Sequence, residues 1–222
     1  MITAIVLLSG GLDSAVLAHR WQSTGEKVLG LCFDYGQKNA VEIAYARPFA
    51  RKYLSDFRLM PLYDQFRHFE SGLLTGPGQP ELLHSRSLEE IKKDKKGYGQ
   101  TVYVPFRNAI FLSFAVGLAE TFLVRRIGIG VKGGVGFDTS KDFIRQFQVM
   151  VWYGSRDGKV RIEAPLIGTP KEQVVRYAVE QGFLAETYSC YEGTEPSCKV
   201  CDTCVERLEV ERKVLGAAVS DT

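Results

Sequence analysis

The sequence predicts an α/β protein, a Rossmann-like doubly wound parallel sheet with a C-terminal metal-binding loop and helix. Three observations carry that reading. An apolar run opens the chain and breaks at two adjacent glycines just before a segment with helical spacing. Strand-like and helix-like segments then keep alternating, a pattern that requires parallel pairing through crossover helices. Four of the five cysteines crowd into one stretch, from Cys190 to Cys204.

Taken in order, residues 2–8 form a buried strand, Ser9-Gly10-Gly11-Leu12-Asp13-Ser14 a turn, and residues 16–21 the start of a helix. Residues 27–33 make a second buried strand that ends in Asp34-Tyr35-Gly36-Gln37. A helix is predicted over 38–54, with Pro48 expected to kink or split it. Residues 57–62 give a third strand. In doubly wound sheets ligands sit beyond the carboxyl ends of the strands, so residues 9–14 and 34–37 belong on one rim.

The apolar periodicity fades between 63 and 101, a stretch too long for an ordinary connection and expected to be a lid or a flexible excursion. Its Lys92-Lys93-Asp94-Lys95-Lys96 run reads as a solvated face, with a phosphate or RNA contact as the alternative. Order returns with an extended lead over 102–108, in which Pro105 fixes a turn, and a buried helix over 106–124. Residues 126–131 form the next strand. Its Gly128-x-Gly130-x-x-Gly133 imitates a dinucleotide fingerprint without the helix that should follow, and the glycines of 154–159 are misspaced for a Walker loop. Asp138 begins the turn into a helix over 143–152. A strand over 160–167 leads to Thr169, expected to cap a helix that runs to Glu180 with Lys171 in its first turn. A last helix spans 202–215. The expected division is a body, 1–185, and a C-terminal segment, 186–222, packed on it.

At 222 residues the chain can bury one substantial core, and 45% hydrophobic with 24% charged residues describes an ordinary globule. The net charge of +2 gives no electrostatic argument for a nucleic-acid partner. Residues 1–8 lack the features of a secretion signal, and polar residues interrupt the apolar run 106–124, so neither export nor membrane insertion is expected. A cytoplasmic location follows, and there clustered cysteines serve as metal ligands more readily than as disulfides.

The turn Ser9 to Ser14 is a site for phosphate. Paired glycines bring backbone N–H groups close to an anion, and the following helix adds unpaired N–H groups and the positive end of its dipole. Asp13 beside a phosphate must hold the loop, cap the helix, or meet the phosphate through a cation. Arg107, a cation at a helix N-terminus, is disfavoured without an anionic partner and reads as a contact to a ligand phosphate or carboxylate, with a surface ion pair as the plain alternative. Cys190, Cys198, Cys201 and Cys204 are separated by seven, two and two residues. Four thiolates in one short loop suit a closed tetrahedral zinc site, which is structural. An iron–sulfur cluster and a redox dithiol are the alternatives, the first lacking the Cys-Pro that usually completes its pattern. Cys32 stands apart, as a small core residue.

The Ser-Gly-Gly-x-Asp-Ser loop resembles that of the PP-loop ATP pyrophosphatase superfamily, which has the adenine nucleotide alpha hydrolase-like fold. Together with Tyr35-Gly36-Gln37, Val104-Pro105-x-Arg107-Asn108, Lys171 and the Ser189-Cys190-Tyr191…Cys198-x-x-Cys201-Asp202-x-Cys204 ending, the chain resembles the 7-cyano-7-deazaguanine synthase family of the queuosine pathway. The resemblance implies a ligase that adenylates 7-carboxy-7-deazaguanine with ATP, amidates it with ammonia and dehydrates the amide to a nitrile. It implies that Leu8, Ser9, Gly10, Gly11, Leu12, Asp13, Ser14 and Gln37 hold ATP with magnesium, and that Asp13, Arg107 and Lys171 are catalytic. It further implies that Asn108 and Asp138 meet the substrate, that Gln37 and Glu42 shape the pocket, and that the four cysteines bind zinc. A homodimer is compatible with the sequence.

The departures from the family pattern are Phe106 for the usual Asn, Lys38-Asn39 for Arg-His, and Gly136-Phe137-Asp138-Thr139-Ser140 for Tyr-Pro-Asp-Cys-Arg. Rival readings therefore stand beside the synthase: a paralogue handing its acyl-adenylate to another amine such as a protein terminus, a tRNA-modifying enzyme with the same loop, and a non-catalytic nucleotide-binding or zinc-stabilised module.

Overall fold

The structure is a computed structural model that describes residues 1–82, 102–133 and 137–220. Five parallel strands, β1 (Ala4–Leu7), β2 (Val28–Asp34), β3 (Asp56–Pro61), β4 (Arg126–Ile129) and β5 (Arg161–Glu163), pair in the order β3-β2-β1-β4-β5. Register runs Ala4 to Val28 on one side of β1 and Ala4 to Arg126 on the other. The strand order reverses between β1 and β4, which places the binding crevice beyond their carboxyl ends.

Alternation along the strands supplies a core on each face. Ile5, Leu7, Leu29, Leu31 and Phe33 point to one side, where they meet α4 (Arg107–Phe122) and α5 (Lys141–Gly154) through Phe111, Leu112, Ile144 and Phe147. Ala4, Val6, Leu8, Val28 and Cys32 point to the other. That side is covered by α1 (Leu12–Ser23), α2 (Val41–Tyr53), α6 (Lys171–Glu180) and α7 (Asp202–Ser220). A strand buried on both faces must be apolar throughout, hence the unbroken run that opens the chain. Cys32 is buried 1% exposed in this core, as its setting in a strand suggested.

Several local expectations are corrected. Pro48 does not split α2, which runs unbroken from Val41 to Tyr53. Pro48 and Ala44 are both exposed, so the carbonyl that loses its helical donor lies on the solvent side. Thr169 does not cap α6: its N–H closes a turn onto Leu166 O, and the cap is Pro170, with no side-chain cap bond. The strand predicted over 160–167 is only Arg161–Glu163, because the chain turns back with Ile167 N–H on Ala164 O. The lead into α4 is a tight turn in which Arg107 N–H bonds Val104 O.

Part of the predicted excursion packs on the body. A short helix, α3 (Tyr63–Phe66), buries Phe66, and Leu73 and Leu74 are buried beside it, Leu74 bridging to Gln37. The Lys92 to Lys96 run lies outside the described residues.

Candidate active site

The turn after β1 is held by its own hydroxyls. Ser14 Oγ donates to Gly11 O at 2.9 Å and accepts from Ser9 N–H at 3.2 Å, while Ser9 Oγ accepts from Gly11 N–H at 3.1 Å. No side chain caps α1 at Gly11, which leaves its first-turn N–H groups open to a ligand. Gly10 has φ +96°, and a Cβ there would lie 2.1 Å from Glu42 O. At the end of β4, a Cβ on Gly130 would lie 2.7 Å from Ser14 N. Two glycines thus let α2 and β4 press against the turn from opposite sides. The chain beyond α6 also anchors it, Tyr188 N–H donating to Gly10 O at 3.0 Å.

Two cavities meet at this turn, both lined by Ser9, Asp13 and Ser14. The smaller, about 440 Å³, is more polar than its neighbour and carries Lys132, Lys171 and Arg207 together with the carboxylates of Asp13 and Glu206. Lys171 Nζ donates to Asp13 Oδ2 at 2.8 Å, joining two predicted residues 158 positions apart. The other oxygen, Asp13 Oδ1, is buried and has no hydrogen-bond partner.

The larger cavity, about 870 Å³, is mostly apolar and is walled in part by Phe33 and Phe111, stacked at 4.1 Å. Arg107 opens here and not into the smaller cavity, its Nη1 donating to the Tyr35 hydroxyl at 3.1 Å. Burial opposes the Arg107 charge, but Tyr35 and Asp138 keep the guanidinium above its ordinary value. Glu42 lines the same cavity and accepts from Asn39 Nδ2 at 2.9 Å. Burial pushes its carboxyl up to about 8, with Arg107 and Gln37 pulling the other way.

The predicted substrate residues Asn108 and Asp138 stand together. Asn108 N–H donates to Asp138 Oδ2 and Asn108 Nδ2 to Asp138 O, each at 3.1 Å. Asp138 therefore caps the first turn of α4 from a distant segment while lining the larger cavity. Leu8 and Leu12 are buried on the two sides of the turn, one beside each cavity. Gln37 is 1% exposed and lines neither cavity; its amide accepts from Tyr35 N–H and donates to Phe33 O, which fixes the turn after β2. Phe106, at the head of α4, is exposed with φ 54°, a left-handed conformation that a bulky residue seldom takes.

The four cysteines converge: their Sγ atoms all lie within 4.8 Å of one another, Cys198 and Cys204 at 3.9 Å. Backbone N–H groups of Tyr191, Cys198 and Cys201 point at the sulfurs of Cys201, Cys190 and Cys198, at 3.3 to 3.4 Å. Donors aimed at thiolates are the surroundings of a metal-bound cysteine set.

Lys132 has no role in the sequence reading, and Tyr35 is placed on the rim there without one. The only signal for Lys132 was its place just past β4, inside a glycine string with no nucleotide-binding context. Tyr35 could have been found from its adjacency to Gly36-Gln37 on the same rim.

A family model described as queuosine biosynthesis protein QueC matches residues 3–214. The chain belongs to the QueC family. It is 37% identical over 211 residues to the 7-cyano-7-deazaguanine synthase of Porphyromonas gingivalis, covering 93% of this chain and 90% of that one. The synthase of Aquifex aeolicus is 35% identical over 227 residues, with 95% and 97% covered, and that of Nostoc punctiforme is 34% identical over 213 residues, with 92% of each covered. The fold of this QueC member is also similar to the NMN synthetase of Francisella tularensis, with TM-score 0.51 at 14% identity over 96% of this chain and 77% of that one.

Proposed function

We propose that the protein is an ATP-dependent 7-cyano-7-deazaguanine synthase. The observation that carries the reading is the pair of cavities joined at Asp13 and Ser14, the smaller more polar and lined by both lysines and carboxylates, the other large and apolar with ionisable groups, in a chain whose relatives bear that name. The polar cavity takes the phosphates of ATP over the α1 N-terminus; the larger one takes the nucleoside and the deazapurine acid.

In the first half-reaction the substrate carboxylate attacks the α-phosphorus of ATP, and the bond to the β-phosphate oxygen breaks to release pyrophosphate. Ammonia then displaces AMP to give the amide. The amide oxygen attacks the α-phosphorus of a second ATP, releasing pyrophosphate. The C–O bond then breaks, so that the oxygen leaves on AMP while the nitrogen gives up its protons to form the nitrile. Lys171, beside Asp13, neutralises charge on the departing pyrophosphate, a positioned-cation effect. Arg107, confined to the larger cavity, holds the carboxylate or the α-phosphate. Glu42 is protonated at neutral pH and gives the pocket a group that can exchange a proton with the incoming amine. Asp138 and Asn108 form the wall that faces the base.

The orphaned Asp13 Oδ1 is a suitable ligand for magnesium brought in with ATP, which would screen the phosphate charges. Cys190, Cys198, Cys201 and Cys204 suit zinc: Zn–S bonds of about 2.3 Å place tetrahedral sulfurs about 3.8 Å apart, near the observed 3.9 Å. Four protein ligands leave no open position, so this metal would supply structure alone. The test is AMP formation from ATP, magnesium and ammonia: it should require 7-carboxy-7-deazaguanine, and AMP formed equally without that acid would refute the reading.

A further inference from the structure

The three cations of the smaller cavity are in different states. Arg207 is committed, its guanidinium bonding Glu211 Oε1, Thr187 O and Leu184 O. Lys171 is paired with Asp13, so the two together bring no net charge to the cavity. Lys132 forms no side-chain hydrogen bond or ion pair with any described residue.

The carboxylates of Glu206, Asp13 and Glu172 attract the Lys132 ammonium without bonding it, and they do not outweigh what opposes the charge. Lys132 is half-buried, and burial first, then the charge of Lys171, push its ammonium below the ordinary lysine value. The fold nonetheless fixes it in place. Lys132 O accepts from Gly168 N–H at 3.0 Å, and two residues earlier Gly130 packs on the backbone of Ser14. The residue therefore stands at the carboxyl end of β4, on the reversal of strand order next to β1, in the cavity that the α1 N-terminus also faces. A half-buried cation that nearby carboxylates attract but do not bond keeps its hydrogen-bond donors for an anion that enters the cavity.

We propose that Lys132 is a pyrophosphate-binding residue, a second cation beside Lys171, with an ammonium that no side chain among the described residues bonds. The inference rests on the ATP-cleaving reading of the site. When the carboxylate oxygen bonds to the α-phosphorus, the bond from that phosphorus to the bridging oxygen breaks and its electron pair stays on pyrophosphate. Negative charge therefore grows on the β,γ side, where Lys132 stands. The glycine string that imitated a dinucleotide fingerprint has a use in this arrangement: its glycines bring Lys132 to the phosphate loop.

The experiment compares wild type, K132Q and K132R as full-length, metal-loaded proteins. Titration calorimetry with inorganic pyrophosphate and magnesium should show about tenfold weaker binding in K132Q and near wild-type binding in K132R. The KM for 7-carboxy-7-deazaguanine should stay unchanged in both, and the thermal midpoint should not fall. Pyrophosphate affinity in K132Q equal to wild type would overturn the proposal, as would a wild type that does not bind pyrophosphate. If pyrophosphate binding depends on Lys132 but no AMP forms from ATP and the acid, the assignment of this residue stands and the synthase reading fails. If AMP forms and K132Q binds pyrophosphate like wild type, the failure belongs to Lys132 alone.

Discussion

The two cavities that meet at Asp13 are built in different ways. The smaller side is shaped at its floor by backbone, a glycine turn, an uncapped helix start and a second glycine at the end of β4, all fixed by close packing. The larger side is made by side chains from separate segments, with Arg107 on Tyr35, Glu42 on Asn39 and Asp138 on the head of α4. A backbone-built site tolerates almost no change at its glycines, whereas a side-chain site can be retuned one residue at a time. Of the departures from the family pattern, Asn39 lies on the second side and others flank Asp138 there, while Phe106 is exposed at the head of α4.

The largest effect is expected at the phosphate turn. Gly10→Ala forces a Cβ to within 2.1 Å of Glu42 O at φ +96°, and neither backbone can yield cheaply. A loss of about 3 kcal/mol in denaturant unfolding and no measurable AMP formation are expected; wild-type stability would show that the turn is softer than its packing implies. Asp13→Asn preserves the shape but removes the charge that pairs with Lys171. AMP formation should fall by about 10³-fold with little loss of stability, and a loss under tenfold would remove Asp13 from the chemistry.

The metal end comes next. Tyr188 ties the phosphate turn to the chain just before Cys190, so stripping the metal should loosen both. Elemental analysis should give about one zinc per chain, and chelation should lower both the thermal midpoint and the affinity for ATP. Iron in place of zinc would overturn the assignment.

On the larger side the expected effect is a pH dependence. Glu42 titrates at about 8 in the folded protein and near 4.5 unfolded, so the native state binds the extra proton between those values. Stability should therefore fall as pH rises from 4.5 through 8, by up to about 1.4 kcal/mol per pH unit. Glu42→Gln should flatten that slope, seen as denaturation midpoints that no longer separate between pH 5 and pH 8. The smallest effect belongs to Phe106: Gly or Asn accepts φ 54° more easily, and either substitution should stabilise by about 1 kcal/mol.

The difference in construction also explains what could be read from the sequence. Ser9 to Ser14 and the cysteines are contiguous or closely spaced, so their chemistry is written in one short string, and the alternation of strands and helices placed the rim correctly. The Lys171–Asp13 contact and the Asp138 cap on Asn108 join residues far apart in the chain, and no local pattern encodes which partner each will meet. Lys132 was hidden because its glycines looked like a misplaced motif, and their purpose appears only when β4 lies beside β1. The unbroken helix at Pro48 turned on which side faced solvent, and the missing cap at Thr169 on the turn its N–H closes onto Leu166 O.

A pair of cavities that carries an acid through adenylation to a nitrile must release that nitrile as product. Mass spectrometry of an incubation with 7-carboxy-7-deazaguanine, ATP, magnesium and ammonia tests it most directly. The expected products are 7-cyano-7-deazaguanine and AMP. AMP accompanied by only the amide, by a conjugate to another amine or by no modified base would contradict the synthase reading.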